Sequence, residues 1–201
     1  MVKNKYYVVL SGVLAMVLVF TQGAFAQIKD EDIMDQILVL KEYSKTGQNG
    51  KAIKLAQEIL QFDPNNIIAL NILTQTYIRM DNLPAAEETA KKALALKPDD
   101  PVTCRLLAVI YTAKAKQDPK AASDNLTLAQ EQIQKGLVSK PDDILLLAGQ
   151  AEIYFQQGYK DKAILVIDRA LLISPNSEYL KEVKKMIEAT KIEEKKPVDS
   201  P

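Results

Sequence analysis

Apolar positions along this chain recur in steps of three and four residues, the spacing of one helix face. Leu70, Leu73 and Tyr77, then Ala86, Ala90 and Ala93, lead up to Pro98. Leu147, Ala151 and Tyr154, then Ala163, Ile167 and Ala170, lead up to Pro175 in the same order. The prolines Pro64, Pro98, Pro141 and Pro175 stand 34, 43 and 34 residues apart. A Tyr lies 21 residues before three of them (Tyr43, Tyr77, Tyr154), and an Ala lies 12 before all four (Ala52, Ala86, Ala129, Ala163). Tyr111 lies 30 before Pro141, so the third interval is the same unit with nine residues inserted between its Tyr and its Ala. The units run 33–66, 67–100, 101–143 and 144–177.

Each unit predicts two helices and a break. The Asp-Pro, Lys-Pro and Ser-Pro steps end the second helix, because the residue before Pro is pushed out of the α region. Small Ala at the start of that helix lets its partner approach closely, and Tyr offers a large ring with a polar tip. After Pro175, the positions Tyr179, Leu180, Val183, Met186 and Ile187 keep helical spacing with Lys and Glu between, which predicts a capping helix over 178–194. The tail 195–201, with two prolines and few apolar residues, is expected to fray. In the insertion, Asp118-Pro119 reads as an N-cap with Pro at the first helical position. Ala122, Leu126, Ala129, Ile133 and Leu137 follow, predicting one second helix from about 119 to 138, two to three turns longer than its counterparts and projecting at its start.

A 34-residue helix–turn–helix with this Tyr, Ala and terminal Pro resembles the tetratricopeptide repeat family over residues 33–177. The family's Trp is replaced by Gln36, Leu70, Cys104 and Leu147, and its first-helix Gly by Leu40, Thr74, Ala108 and Ala151. The resemblance implies an all-α, right-handed α-solenoid of about four helix pairs plus the cap, filling 27–194. It also implies a peptide or protein partner held on the concave face by first-helix positions two, five, six, nine, twelve and thirteen. On this sequence the candidates for that role are Lys41, Asn71, Ile72, Gln75, Arg79, Arg105, Leu106, Val109 and Phe155. Arg79 and Arg105, two of only three Arg, are expected to grip a carboxylate bidentately, while Ile72, Leu106, Val109 and Phe155 hold apolar side chains. Lys41 alone does not reproduce the carboxylate clamp of chaperone-binding relatives.

The first 26 residues change the picture of location. Lys3 and Lys5, an apolar stretch from Val8 to Phe20 and the Ala24-Phe25-Ala26 site form the layout of a cleavable secretory signal, cut before Gln27. The alternative is an inner-membrane anchor over 6–20, whose 15 residues fall below the roughly 17 to 25 of a spanning helix. The expectation is a periplasmic or otherwise exported protein.

Composition narrows the chemistry. With no His, the chain has no Ser-His-Asp or Cys-His arrangement and no imidazole metal ligand. A single Cys excludes an internal disulfide and a Cys-rich zinc site, and Cys104 sits at a core position of the third unit. Lys and Arg number 26 against 26 Asp and Glu, which gives no basic surface for nucleic acid. Asp99-Asp100 and Asp142-Asp143 follow the unit-ending prolines and read as caps of the next helix. No phosphate-binding Gly loop occurs. No cofactor or metal is expected, and the chain reads as no enzyme. The function expected is a non-catalytic exported scaffold or adaptor. The alternatives are a self-assembling envelope protein, with a homo-oligomer as its partner state, and a carboxylate-based hydrolase.

Overall fold

In the computed structural model, residues 30–191 are described. The expected signal segment 1–26, with its cut before Gln27, and the tail 195–201 lie outside them. Backbone contacts divide the chain into two units, Met1–Val39 and Leu40–Pro201. Of the first, the described part is the opening of a helix, with Ile37 buried and Met34 and Leu38 exposed. The second unit carries the rest.

Turn chemistry sets the period. Asp63-Pro64-Asn65-Asn66, Lys97-Pro98-Asp99-Asp100, Lys140-Pro141-Asp142-Asp143 and Ser174-Pro175-Asn176-Ser177 each close with the fourth N–H donating to the first carbonyl, at 3.1–3.2 Å. Pro is preset for the second position of such a turn and stops the helix before it. The fourth residue then caps the next helix: Asn66 accepts from the Ala69 N–H (2.9 Å), Asp100 from Thr103 (2.9 Å), Asp143 from Leu145 (3.0 Å) and Ser177 from Leu180 (3.4 Å).

Nine helices result among the described residues, with no strand: α1 Asp30–Lys45, α2 Asn49–Phe62, α3 Ile67–Arg79, α4 Leu83–Leu96, α5 Pro101–Gln117, α6 Ala122–Ser139, α7 Ile144–Gln156, α8 Lys160–Ile173 and α9 Glu178–Ala189. They form an all-α solenoid of four helix pairs closed by α9. Within three pairs the first helix ends on a left-handed residue, Gly47 (φ 73°), Asp81 (φ 55°) or Gly158 (φ 88°). The residue after it donates to the repeat's Tyr carbonyl: Gln48 to Tyr43 (2.9 Å), Asn82 to Tyr77 (2.9 Å), Tyr159 to Tyr154 (2.8 Å). This six-to-one bond is the Schellman stop.

The third pair departs from the expected single long helix. At the position of Gly47 and Gly158 it has Ala115, which disfavours the left-handed region, so α5 continues to Gln117. Asp118-Pro119-Lys120-Ala121 then forms the same Pro turn as the junctions between repeats, its Ala121 N–H donating to the Asp118 carbonyl at 3.2 Å. Asp118 is therefore the C-cap of α5, not the N-cap of α6, and α6 begins at Ala122 rather than near 119. Compared with α3 and α4, the nine residues add four to the first helix (17 against 13), four to the second (18 against 14) and one to the loop. The physical reason is pairing. Lengthening both antiparallel helices buries Ala115 against Leu126's cluster, whereas α6 alone would carry its apolar face into water.

Ala52, Ala86, Ala129 and Ala163 are all buried at 1% exposure or less, where the second helix of each repeat meets its neighbours. One cluster joins Ala86, Ala90, Leu107, Ile110, Tyr111, Leu126, Ile133, Leu146 and Ile153. A second joins Leu147, Ala151, Ala163, Ile167 and Ala170 to Leu180 and Ile187 of α9. Tyr111 uses its polar tip as expected: its hydroxyl donates to Glu87 Oε1 at 3.3 Å, beside Lys91 and Lys114, which also hold that carboxylate. No helix of the described residues is long and apolar enough to cross a membrane.

Candidate functional site: a pocket between the first helices

The first helices of repeats three and four, together with α9, enclose a concavity of about 70 Å³. From α5 come Arg105, Ala108, Val109 and Thr112; from α7 come Leu145, Gly149, Glu152 and Ile153. Ile133 of α6 lies beneath, fully buried, and Tyr179 of α9 stands half-exposed at the rim. Five of the α5 and α7 residues, Arg105, Val109, Thr112, Leu145 and Glu152, occupy first-helix positions two, five, nine or twelve, and Gly149 occupies position six. The repeat register thus brings positions expected to face a partner, from two successive repeats, to one place.

Gly149 forms part of the hollow's lining and lets Ile133 of α6 come close to α7. A Cβ on Gly149 would stand 3.1 Å from Ile133 Cδ1, closer than ordinary contact. At the same repeat position Ile72 and Leu106 carry buried side chains, whereas Leu38 of repeat one is exposed.

Arg105 has no ion pair or hydrogen bond among the described residues. Glu152 does not neutralise it by contact, because its carboxylate accepts from Lys116 Nζ (2.9 Å) and Gln156 Nε2 (3.1 Å). Burial pushes the Tyr179 hydroxyl above the usual phenol range, helped by the charge of Glu152 and opposed by that of Arg105. The pocket therefore presents one uncommitted guanidinium beside an apolar hollow. Such a fork suits a carboxylate.

The other expected site residues are dispersed. Arg79 does not line this pocket; its Nη2 donates to Ser44 Oγ at 2.7 Å. Asn71 is buried, its Nδ2 donating to Asp100 Oδ2 (3.1 Å) and its Oδ1 accepting from Thr103 Oγ1 (2.8 Å), so it ties α3 to the start of α5. Ile72 and Leu106 are buried in the helix packing. Phe155 is half-buried against the last core cluster. Lys41 and Gln75 are exposed on α1 and α3. The structure thus brings together Arg105 and Val109 of the nine. Gly149 falls at position six of the expected concave face without being among the nine candidates. Tyr179, expected only as part of the capping helix, is the residue that sequence reasoning missed, although it is the second residue of the helix after repeat four.

Elsewhere the chemistry is quiet. Cys104 is fully buried, and burial pushes its thiol up to about 11, with Asp100 adding to the shift. A thiol so placed is a poor nucleophile at neutral pH. Among the described residues no group of His, Cys, Asp and Glu is placed to hold a metal ion.

Comparison with known proteins agrees with this architecture. Tetratricopeptide repeat profiles match residues 45–110 and 146–177. Among solved structures, TTC0263, a thermophilic TPR protein of Thermus thermophilus, superposes with a TM-score of 0.72 at 19% identity over 77% of this chain and 80% of its own. Pseudomonas aeruginosa pilF gives 0.67 at 15% identity, over 79% and 68%. MamA protein gives 0.58 at 19% identity, over 79% and 82%. At such identities the likeness is one of fold. None of the curated proteins matches the chain.

Proposed function

The chain belongs to the tetratricopeptide repeat family, and on that premise we propose that it is an exported, non-catalytic scaffold binding a partner protein along its first helices. One observation carries this reading: the pocket of Arg105, Gly149 and Tyr179 gathers the expected partner-facing positions of two repeats around a cation with no ion pair or hydrogen bond among the described residues. Charge supports it. Lys41, Lys45, Arg79 and Arg105 occupy partner-facing positions within the second unit, against the single carboxylate of Glu152 in the four repeats, although the whole chain carries no net charge. An acidic partner segment is favoured accordingly.

Tetratricopeptide repeat proteins in general bind protein partners. The outer side of α9 bears the exposed charges of Glu178, Lys181, Glu182 and Lys185, which favours a finished end over a polymerising one. Export rests on the signal layout of residues 1–26.

Photo-crosslinking tests the binding face. A photoreactive side chain at Ile68 or Val102, both exposed near the starts of first helices, is expected to trap a partner in the native envelope. The same group at exposed Glu88, on a second helix, is expected to trap none. Adducts from Glu88 alone overturn the binding face. Mass measurement of the mature chain checks export, with Gln27 as the expected first residue.

A further inference from the structure

Of the four repeats only the fourth lacks a side chain at position six, and Leu38 of the first is exposed there. Ile72 and Leu106 occupy the equivalent positions in repeats two and three and are buried there. Gly149 is neither at a turn nor in the left-handed region, and a glycine in a helix interior weakens the helix. Its bare backbone lets Ile133 approach closely, and beside it lies a hollow of about 70 Å³ bounded by Ala108, Val109, Ile133, Leu145 and Ile153. That is about half of the roughly 150 Å³ that admits a benzene ring, so it suits a small aliphatic group and not an aromatic one. Arg105 stands beside it, with no ion pair among the described residues.

We propose that the partner itself fills this hollow: a Val, Ile or Leu side chain inserts beside Gly149, and an Asp or Glu next to it in the partner's sequence pairs with Arg105. The inference rests on the scaffold reading and makes it specific. The apolar group gains by leaving water for a lining of aliphatic side chains. The carboxylate gains two parallel hydrogen bonds from the guanidinium. Specificity follows from both, since an aromatic anchor does not fit and an amide in place of the acid leaves the cation unpaired.

The test uses the full chain and an acetylated, amidated alanine hexapeptide carrying one Leu followed by one Glu. Methyl resonances of Ile133, Ile153 and Val109 are expected to shift at millimolar peptide. Replacing the Leu by Ala or Phe, or Gly149→Ala in the protein, is expected to weaken binding about tenfold or more. Arg105→Gln is expected to erase the preference for Glu over Gln in the peptide while keeping that for Leu over Ala. Circular dichroism establishes that each variant is folded; if Gly149→Ala is not, the Arg105→Gln result decides. Unshifted Ile133 and Ile153 methyls, equal response to the Leu and Ala peptides, or an unchanged Glu preference in Arg105→Gln overturns the proposal. Crosslinks from Ile68 or Val102 without a peptide response sink this inference alone, whereas a peptide response without crosslinks sinks the scaffold reading.

Discussion

At the scale of single residues, a buried hydroxyl and a partly buried carboxylate behave in opposite ways. Thr74 is fully buried, and its Oγ1 has no hydrogen-bond partner among the described residues. A desolvated hydroxyl left unpaired costs stability, so Thr74→Val, which keeps the shape, is expected to raise stability by about 0.5–1 kcal/mol. Urea unfolding with an unchanged slope and a higher midpoint would register this. Asp100 is the contrary case. Burial works to raise its pKa, but hydrogen bonds from the Thr103 N–H, the Thr103 hydroxyl and Asn71, with Lys97 nearby, outweigh burial and hold it below the ordinary carboxylate value. A carboxyl lowered on folding stabilises fully above its unfolded value, and that stability is lost as pH falls through the folded one. Asp100→Asn keeps a capping oxygen and removes the titration, so its stability is expected to fall less steeply with acid than that of the parent below about pH 4. Both residues were partly legible. Asp100 could be named as a cap from Pro98 alone, whereas its link to Asn71, 29 positions earlier, depends on how α3 lies against α5 and no local pattern encodes it.

At the scale of helices, boundaries follow rules that the sequence states plainly. Where the expectation failed, in the third repeat, the signal was present in another form: Asp118-Pro119-Lys120-Ala121 has the makeup of the four inter-repeat turns. Reading Pro119 as a first helical residue overlooked that likeness and the Ala115 standing where Gly47 and Gly158 end their helices. Ala121 differs from Asn66, Asp100, Asp143 and Ser177 in offering no side-chain oxygen to the helix it begins. Ala121→Asp is therefore expected to stabilise α6 by about 0.5–1 kcal/mol, and an acid there also suits the helix dipole. The gain is held down because Ala121 has ψ 8°, not the extended ψ of 94–115° found at those four caps. Thermal unfolding of the variant beside the parent measures it.

At the scale of the whole molecule, the solenoid was the most legible feature, because four prolines, four alanines and three tyrosines in register leave little freedom in how the repeats are built. The site was less so. Its main element is a hollow beside Gly149, which shows only when neighbours such as Ile133 and Leu145 are seen to surround it. The end of the array is held by Leu180 and Ile187, both fully buried against α7 and α8. Leu180→Ala is expected to cost about 2–5 kcal/mol, to lower the urea midpoint and to expose dye-binding apolar surface on the last repeat. A loss below about 1 kcal/mol would mean that α9 adds little to the core. The lengthened third pair has a consequence for how such a chain can change in size. Four residues advance a helix by one turn and about 40° more, so Ala115 and Leu126 still reach the cluster of Tyr111 and Ala129. An insertion at the tip of this hairpin is thus silent at the joints on either side when it arrives as matched turns, and a lineage of such chains would grow there by whole steps rather than residue by residue.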